Sequence, residues 1–185
     1  MLEGSAIQRI ALIGYRVTGK STVGPLVARR LGWRFVDMDQ VLMERFGDSI
    51  SGYVALHGWE AFRDAESDLL RELSESAHLV VATGGGVVER ETNCRVLSAS
   101  WLVVWLDCQL SVILNRLRLD SKTAAQRPSL SGLDVVEETA RILERRRPLY
   151  RHTAHLTLDS SRFEPEHMAE AIVARLRNPS GPVDF

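Results

Sequence analysis

The segment Gly14-Tyr-Arg-Val-Thr-Gly19-Lys20-Ser21-Thr22 fits the pattern G-x-x-x-x-G-K-[ST], and it limits the possible folds more than any other stretch of this chain. Its two glycines let the backbone wrap tightly, so that successive N–H groups point inward at phosphate oxygens. A helix starting at the second glycine adds its positive end to the same spot. Lys20 can then reach the β- and γ-phosphates, and the Ser21 hydroxyl can face Mg²⁺. The flanks agree. Ile10-Ala-Leu-Ile13 is a short continuous apolar run, as in a strand buried on both faces. Val23, Leu26, Val27 and Leu31 then lie on one face of a helix, and Gly32 supplies a stop. Strand, glycine loop and helix together predict a site for a nucleoside triphosphate.

The same alternation continues along the chain. Strand-like runs recur at Trp33-Arg-Phe-Val36, Leu79-Val-Val-Ala82, Trp101-Leu-Val-Val-Trp-Leu106 and His155-Leu-Thr-Leu158. Between and after them come helical stripes: Phe62, Ala65, Leu69 and Leu73; Leu110, Ile113, Leu114 and Leu117; Val136, Ala140 and Leu143; Met168, Ala171, Ile172 and Leu176. Strands alternating with helices imply right-handed crossovers and a parallel sheet, the α/β class. Ligands of such sheets bind beyond the carboxyl ends of the strands.

At 185 residues, with 45% apolar and 25% charged side chains, the chain suits one globular domain, expected over residues 6–177. Residues 1–5 and 178–185 read as flexible ends. A formal net charge of -1 gives no electrostatic reason to expect nucleic acid or an anionic membrane as partner. Cys94 and Cys108 form neither a metal-ligand spacing nor a disulfide framework. No apolar run approaches the roughly 18 residues of a membrane span. A cytoplasmic monomer is the expectation. The polar, small-residue stretch from 120 to 134 lacks periodicity, and beside a phosphate site it reads as a mobile lid.

Polar residues cluster where the strands end. Asp37 and Asp39 follow the second strand, and in an extended chain both carboxylates face one side. One could hold Mg²⁺ while the other orients or deprotonates a hydroxyl; helix capping could account for one of them. Gly84-Gly85-Gly86 ends the third strand and offers a backbone that a ligand can approach closely. Arg63 lies three residues before Glu66, the spacing of an intrahelical ion pair. Arg145, Arg146, Arg147 and Arg151 surround Pro148-Leu-Tyr150, the usual look of a solvated helix end, although guanidinium forks also suit carboxylate and phosphate. His152 and His155 lack a third metal-ligating partner, so a structural role is expected for them.

In this order, Gly14 to Thr22, Asp37-Met-Asp39, Gly58-Trp-Glu-Ala-Phe-Arg63, Ala82-Thr-Gly-Gly-Gly86, Gln126-Arg-Pro-Ser-Leu130 and Arg146-Arg-Pro-Leu-Tyr150 resemble the shikimate kinase family, in the form with Gly-Trp before the Phe-Arg. The resemblance runs from about residue 10 to about residue 177. It implies a three-layer αβα P-loop kinase fold with a five-stranded parallel sheet, like the nucleoside monophosphate kinases. It also implies transfer of the γ-phosphoryl of ATP to the 3-hydroxyl of shikimate, on the route to chorismate and the aromatic amino acids. Carried over by motif, Lys20, Asp39 and Arg127 would be catalytic, with Asp39 on the substrate hydroxyls and Arg127 arriving with the lid. Gly14, Tyr15, Arg16, Val17, Thr18, Gly19, Lys20, Ser21 and Thr22 would hold ATP, with Arg118, Arg162 and Pro165 near the adenine. Arg63 and Arg146 would clamp the shikimate carboxylate, and Gly84, Gly85 and Gly86 would meet the ring. Ser21 and Asp37 would hold Mg²⁺.

Two residues depart from that pattern. Val17 stands where such loops usually carry glycine; at positive φ a β-branched residue is strained by on the order of 1–3 kcal/mol, which would alter loop geometry or nucleotide affinity. Pro25 falls inside the helix after the loop, where it removes a hydrogen bond and can kink the axis. Two other readings fit parts of the pattern. A gluconate kinase-like enzyme would share Lys20 and the lid arginine but has no call for the triple glycine combined with two carboxylate-binding arginines. A non-catalytic nucleotide-binding regulatory module would tolerate Val17 but has no need of Asp39, Arg63 and Arg146.

Overall fold

Strand β1 (Arg9–Ile13) hydrogen-bonds to a neighbour on each side, which is why it carries four consecutive buried apolar residues. The structure, a computed structural model, describes residues 7–119 and 134–178. β2 (Arg34–Asp37), β3 (Leu79–Ala82), β4 (Leu102–Asp107) and β5 (Leu156–Asp159) complete a sheet ordered β2-β3-β1-β4-β5, parallel throughout. The period of two along β1 divides the core. Ile10 and Leu12 face Val23 and Val27 of helix α1 (Lys20–Leu31) and Met168 and Ile172 of helix α7 (Pro165–Arg177). Ala11 and Ile13 face the other layer, built by α2 (Met38–Phe46), α3 (Ile50–Ser74), α4 (Glu91–Ser100) and α6 (Val135–Thr153). Helix α5 (Leu110–Leu119) adds a smaller cluster in which Ile113 packs with Tyr15, Ile142 and Leu143. This is the three-layer αβα arrangement expected of the alternation.

The helices differ from the sequence reading in informative ways. α1 passes through Pro25 without a break and ends at Gly32, whose φ of 67 is the left-handed cap conformation. Pro25 therefore costs at most its own backbone hydrogen bond. α3 begins earlier than its apolar stripe suggests: Ser49 caps it, its side chain accepting from the Gly52 N–H, and Gly58 (φ 82, ψ 166) kinks it midway. A single turn of 3₁₀ helix, Val87–Glu89, follows the triple glycine directly. The stretch read as a lid lies outside the described residues except for Asp134, the residue preceding α6, and Arg127 lies outside them too.

Three of the strands run one residue past their apolar runs. β2, β4 and β5 end on Asp37, Asp107 and Asp159, each still in register with its neighbour, as Asp37 opposite Ala82 and Asp107 opposite Asp159. Hydrophobicity stops where the strand meets the cleft, but backbone pairing does not. The carboxyl edge of the sheet is consequently a polar floor.

Candidate active site

The loop Gly14–Gly19 leaves β1 at the centre of that floor. Gly14 has φ 138, and a Cβ there would lie 2.6 Å from the Leu106 carbonyl oxygen, so glycine is required both by conformation and by space. Thr18 Oγ1 donates to the Tyr15 carbonyl at 2.8 Å, and Lys20 Nζ donates to the carbonyls of Gly14 (2.9 Å) and Tyr15 (2.8 Å). Lys20 is thereby buried and folded over the loop it serves. Gly19 (φ 95) caps α1, and its carbonyl accepts from the N–H groups of Thr22 and Val23. Val17 does sit at positive φ, 56, with its side chain packed on the Tyr15–Cys108–Ile113 cluster. Its carbonyl accepts from Arg116 Nη1 at 3.1 Å.

Beside the loop, the Ser21 hydroxyl donates to Asp37 Oδ2 at 2.5 Å. Asp37 Oδ1 accepts from the N–H of Asp39 (3.0 Å) and of Gln40 (3.4 Å), so this carboxylate caps α2 with one oxygen and faces the phosphate loop with the other. The expectation that Asp37 and Asp39 lie along extended chain is corrected here. Asp39 is already in the first helical turn, and the turn of the helix aims it at the triple glycine, where a Cβ on Gly84 would come within 3.1 Å of its Oδ1. Lys20, Ser21, Asp37, Asp39, Thr83, Arg16 and Arg116 share one cleft of about 410 Å³.

Each glycine of the triplet leaves room for something different. A Cβ on Gly84 would strike Glu66 Oε1 at 2.2 Å; on Gly86 it would strike the Arg63 guanidinium at 2.0 Å; on Gly85 it would lie 3.4 Å from the Gly14 carbonyl oxygen and 3.6 Å from Arg146 Nη1. The third strand end thus brings the phosphate loop and two arginines to one place. Arg63 Nη1 donates to Glu66 Oε2 at 2.6 Å, the intrahelical pair the spacing suggests, and Nη2 donates to Glu89 Oε2 at 3.0 Å. Arg146 Nη2 donates to the same Glu89 oxygen at 3.0 Å. Of the arginine cluster on α6 only Arg146 is buried, at 6% exposure, so the reading of a solvated helix end holds for Arg145 and Arg151 and fails for Arg146. Arg145 also donates to Glu89, through Oε1.

Partial burial pushes the Glu89 carboxyl up, but the guanidinium groups of Arg146, Arg63 and Arg145 outweigh it and hold its pKa below the ordinary value. Burial likewise works against the charge on Arg146, and its neighbours, Glu89 among them, keep it cationic. Tyr150, buried and stacked on Trp105 with ring centroids 5.8 Å apart, donates its hydroxyl to the Gly85 carbonyl; burial pushes its pKa well above 10.0. Tyr15, Arg16, Trp59, Phe62, Arg63, Gly86, Glu138, Ile142 and Arg146 line a narrow pocket that adjoins the phosphate cleft through Arg16 and Ile50.

On the opposite side of the phosphate loop, Val17, Gly19, Thr22, Ser161, Arg162, Phe163, Pro165 and Arg116 line a groove of about 270 Å³. Arg162 and Pro165, expected near the adenine, line this groove. Arg118, expected there too, is exposed on α5, and Arg116, two residues back along the helix and so on its other side, is the α5 arginine that lines it. Arg116 Nη2 also donates to the Ser160 carbonyl at 2.7 Å, bridging the loops after β1 and β5. His155 is structural, as expected; its Nδ1 accepts from the Val103 N–H at 3.0 Å. The sequence reading missed Glu89, Arg116 and the role of Tyr150. Only Tyr150 carried a signal, as the end of the Arg146–Tyr150 motif.

A family model described as Shikimate kinase matches residues 16–177. A shikimate kinase of Nitratidesulfovibrio vulgaris is 44% identical over 151 residues, covering 82% of this chain and 86% of its own length. One from Rhodopirellula baltica is 36% identical and covers 96% of this chain and 95% of its own length. Among solved structures, shikimate kinase from Acinetobacter baumannii in complex with shikimate superimposes with a TM-score of 0.86 at 29% identity, covering 95% of this chain and 96% of that one.

Proposed function

This chain belongs to the shikimate kinase family, and from that premise we propose how its residues divide the work. The protein is an enzyme that moves the γ-phosphoryl group of ATP to the 3-hydroxyl of shikimate, giving shikimate 3-phosphate and ADP for aromatic amino acid biosynthesis. The acceptor oxygen forms a bond to the γ-phosphorus as the bond from that phosphorus to the β,γ-bridging oxygen breaks. Such a transfer needs alignment and charge stabilisation more than covalent chemistry.

The observation that carries the assignment of roles is the meeting of Arg63, against Gly86, and Arg146, beside Gly85, at one oxygen of Glu89 next to the phosphate loop. A buried guanidinium, Arg146, and a partly buried one, Arg63, suit a carboxylate bidentately. They fix the acid end of the ring, so its hydroxyls fall toward Asp39 and the glycine loop. Asp39 accepts the proton that the 3-hydroxyl gives up. Lys20 leaves the loop carbonyls for the β- and γ-phosphate oxygens, and the backbone N–H groups of Gly14–Thr22 hold the rest of the chain of phosphates. The base lies in the groove of Arg116, Arg162 and Pro165. Arg127 completes the charge around the γ-phosphate.

The donor set beside the loop, one hydroxyl and one carboxylate 2.5 Å apart, is the hard-oxygen chemistry that Mg²⁺ prefers. Ser21 and Asp37 would hold the ion, which when bound supplies positive charge to the β- and γ-phosphates. No helix among the described residues is long and apolar enough to cross a membrane, which supports the reading of a cytoplasmic enzyme.

A coupled ADP-release assay across shikimate, gluconate and nucleoside monophosphates tests the assignment. Turnover with shikimate alone is expected. Turnover with gluconate instead would favour the gluconate kinase-like reading, and silence on every acceptor would favour a regulatory module.

A further inference from the structure

Arg63 and Arg146 come from helices far apart in the chain, yet both donate to one oxygen of Glu89, each at 3.0 Å. Arg63 has a second anchor, the 2.6 Å pair with Glu66. Arg146 is more dependent: its side chain is 7% exposed, and its Nε makes no hydrogen bond. Two guanidinium groups brought this close repel each other, and each long side chain has many rotamers. A pair of forks set for one carboxylate therefore needs something to hold them.

We propose that Glu89 is a positioning residue for the acceptor's carboxylate. It ties Arg63 to Arg146 through its Oε2 and is itself steered from outside by Arg145 on Oε1. It stands directly after the triple glycine, on the 3₁₀ turn Val87–Glu89, whose Glu89 N–H donates to the Gly86 carbonyl at 2.9 Å. The turn that exposes the glycines to the ring thus also fixes the anchor of both arginines. Glu89 uses one terminal nitrogen of each fork, leaving Arg146 Nη1 toward Gly85 for the incoming anion. Its negative charge opposes that anion, but three guanidinium groups already surround and offset it, so this is the lesser effect. Losing two fixed donors is the greater.

The inference rests on Arg63 and Arg146 being the carboxylate clamp, so the experiment separates the two ideas. Steady-state kinetics are run with shikimate and with the same ring bearing a hydroxymethyl group in place of the carboxylate. If wild-type enzyme does not prefer the acid, the clamp itself is misassigned. Given that preference, Glu89→Ala is expected to raise the KM for shikimate about tenfold. It should leave kcat, the KM for ATP and kcat/KM for the neutral ring within about twofold. Glu89→Gln keeps the volume and one acceptor, so it falls between wild type and Glu89→Ala, and it serves if the alanine variant folds poorly. An unchanged or lower KM for shikimate in both variants would overturn the proposal. So would an equal loss on both acceptors, which is the mark of a merely structural role.

Discussion

Gly86 and Arg63 occupy adjoining space so closely that a methyl group on residue 86 would lie 2.0 Å from Arg63 Nη2. The guanidinium is held in that place by Glu66 and Glu89. Gly86 itself has φ -102, which any residue can adopt, so this glycine is present for clearance and not for conformation. Gly86→Ala should therefore fold, at a cost of about 1 kcal/mol for the displaced ion pairs, and should raise the KM for shikimate at least tenfold. The KM for ATP should stay within about twofold. Steady-state kinetics with a thermal melt check both halves.

Asp37 works with its two oxygens on different tasks, one capping α2 and one meeting Ser21. Asparagine caps a helix as well as aspartate does. Asp37→Asn should leave stability within about 0.5 kcal/mol while raising the Mg²⁺ concentration for half-maximal activity about tenfold. A titration of activity against Mg²⁺ reads this directly, and an unchanged midpoint would remove Asp37 from the metal's surroundings.

Val17 holds a positive φ that the loop's own contacts fix, with its side chain on the Tyr15 cluster and its carbonyl on Arg116. Strain set by such fixed contacts is the same with and without ATP and cancels from the binding equilibrium. Val17→Gly should relieve strain of about 1–2 kcal/mol. It also gives up packing on the Tyr15 cluster and some chain entropy, worth about as much. The expected result is a melting temperature little changed and a Kd for ATP within about twofold, measured by calorimetry. A markedly tighter Kd would show that the loop takes up its strain only on binding.

His155 makes acid stability testable away from the active site. Partial burial lowers its pKa below 6.5. Its Nδ1 must also stay unprotonated to accept from the Val103 N–H. The unfolded chain then binds the proton more readily than the folded one. Stability contributed by this contact is present above pH 6.5 and declines as pH falls toward the depressed folded value. Urea unfolding between pH 5 and pH 8 should show that decline in the wild type. It should be flatter in His155→Gln, which cannot titrate.

Much of this was legible before any coordinates. Periodicity gave every strand to within one residue; the offsets fall at both ends, with β1 starting on Arg9 and with Asp37, Asp107 and Asp159 carrying pairing past the last apolar side chain at the cleft. The phosphate loop was legible because its mechanism is local in sequence. Glu89 was not, because what makes it important is contact with residues 26 and 57 positions away. Arg116 and Arg118 differ only in which side of α5 they face, and the apolar stripe there leaves that side open. Burial, too, singled out Arg146 from neighbours of the same type, a distinction that composition of the run cannot make.

The two bonds of Arg116, one to Val17 and one to Ser160, rivet the groove of Arg162 and Pro165 to the loop after β1. With the base in that groove, as proposed, the donor's half of the cleft would be a gauge of fixed length, matched to one spacing between heterocycle and terminal phosphorus. The acceptor's bank has a joint of its own, the bend at Gly58 within α3.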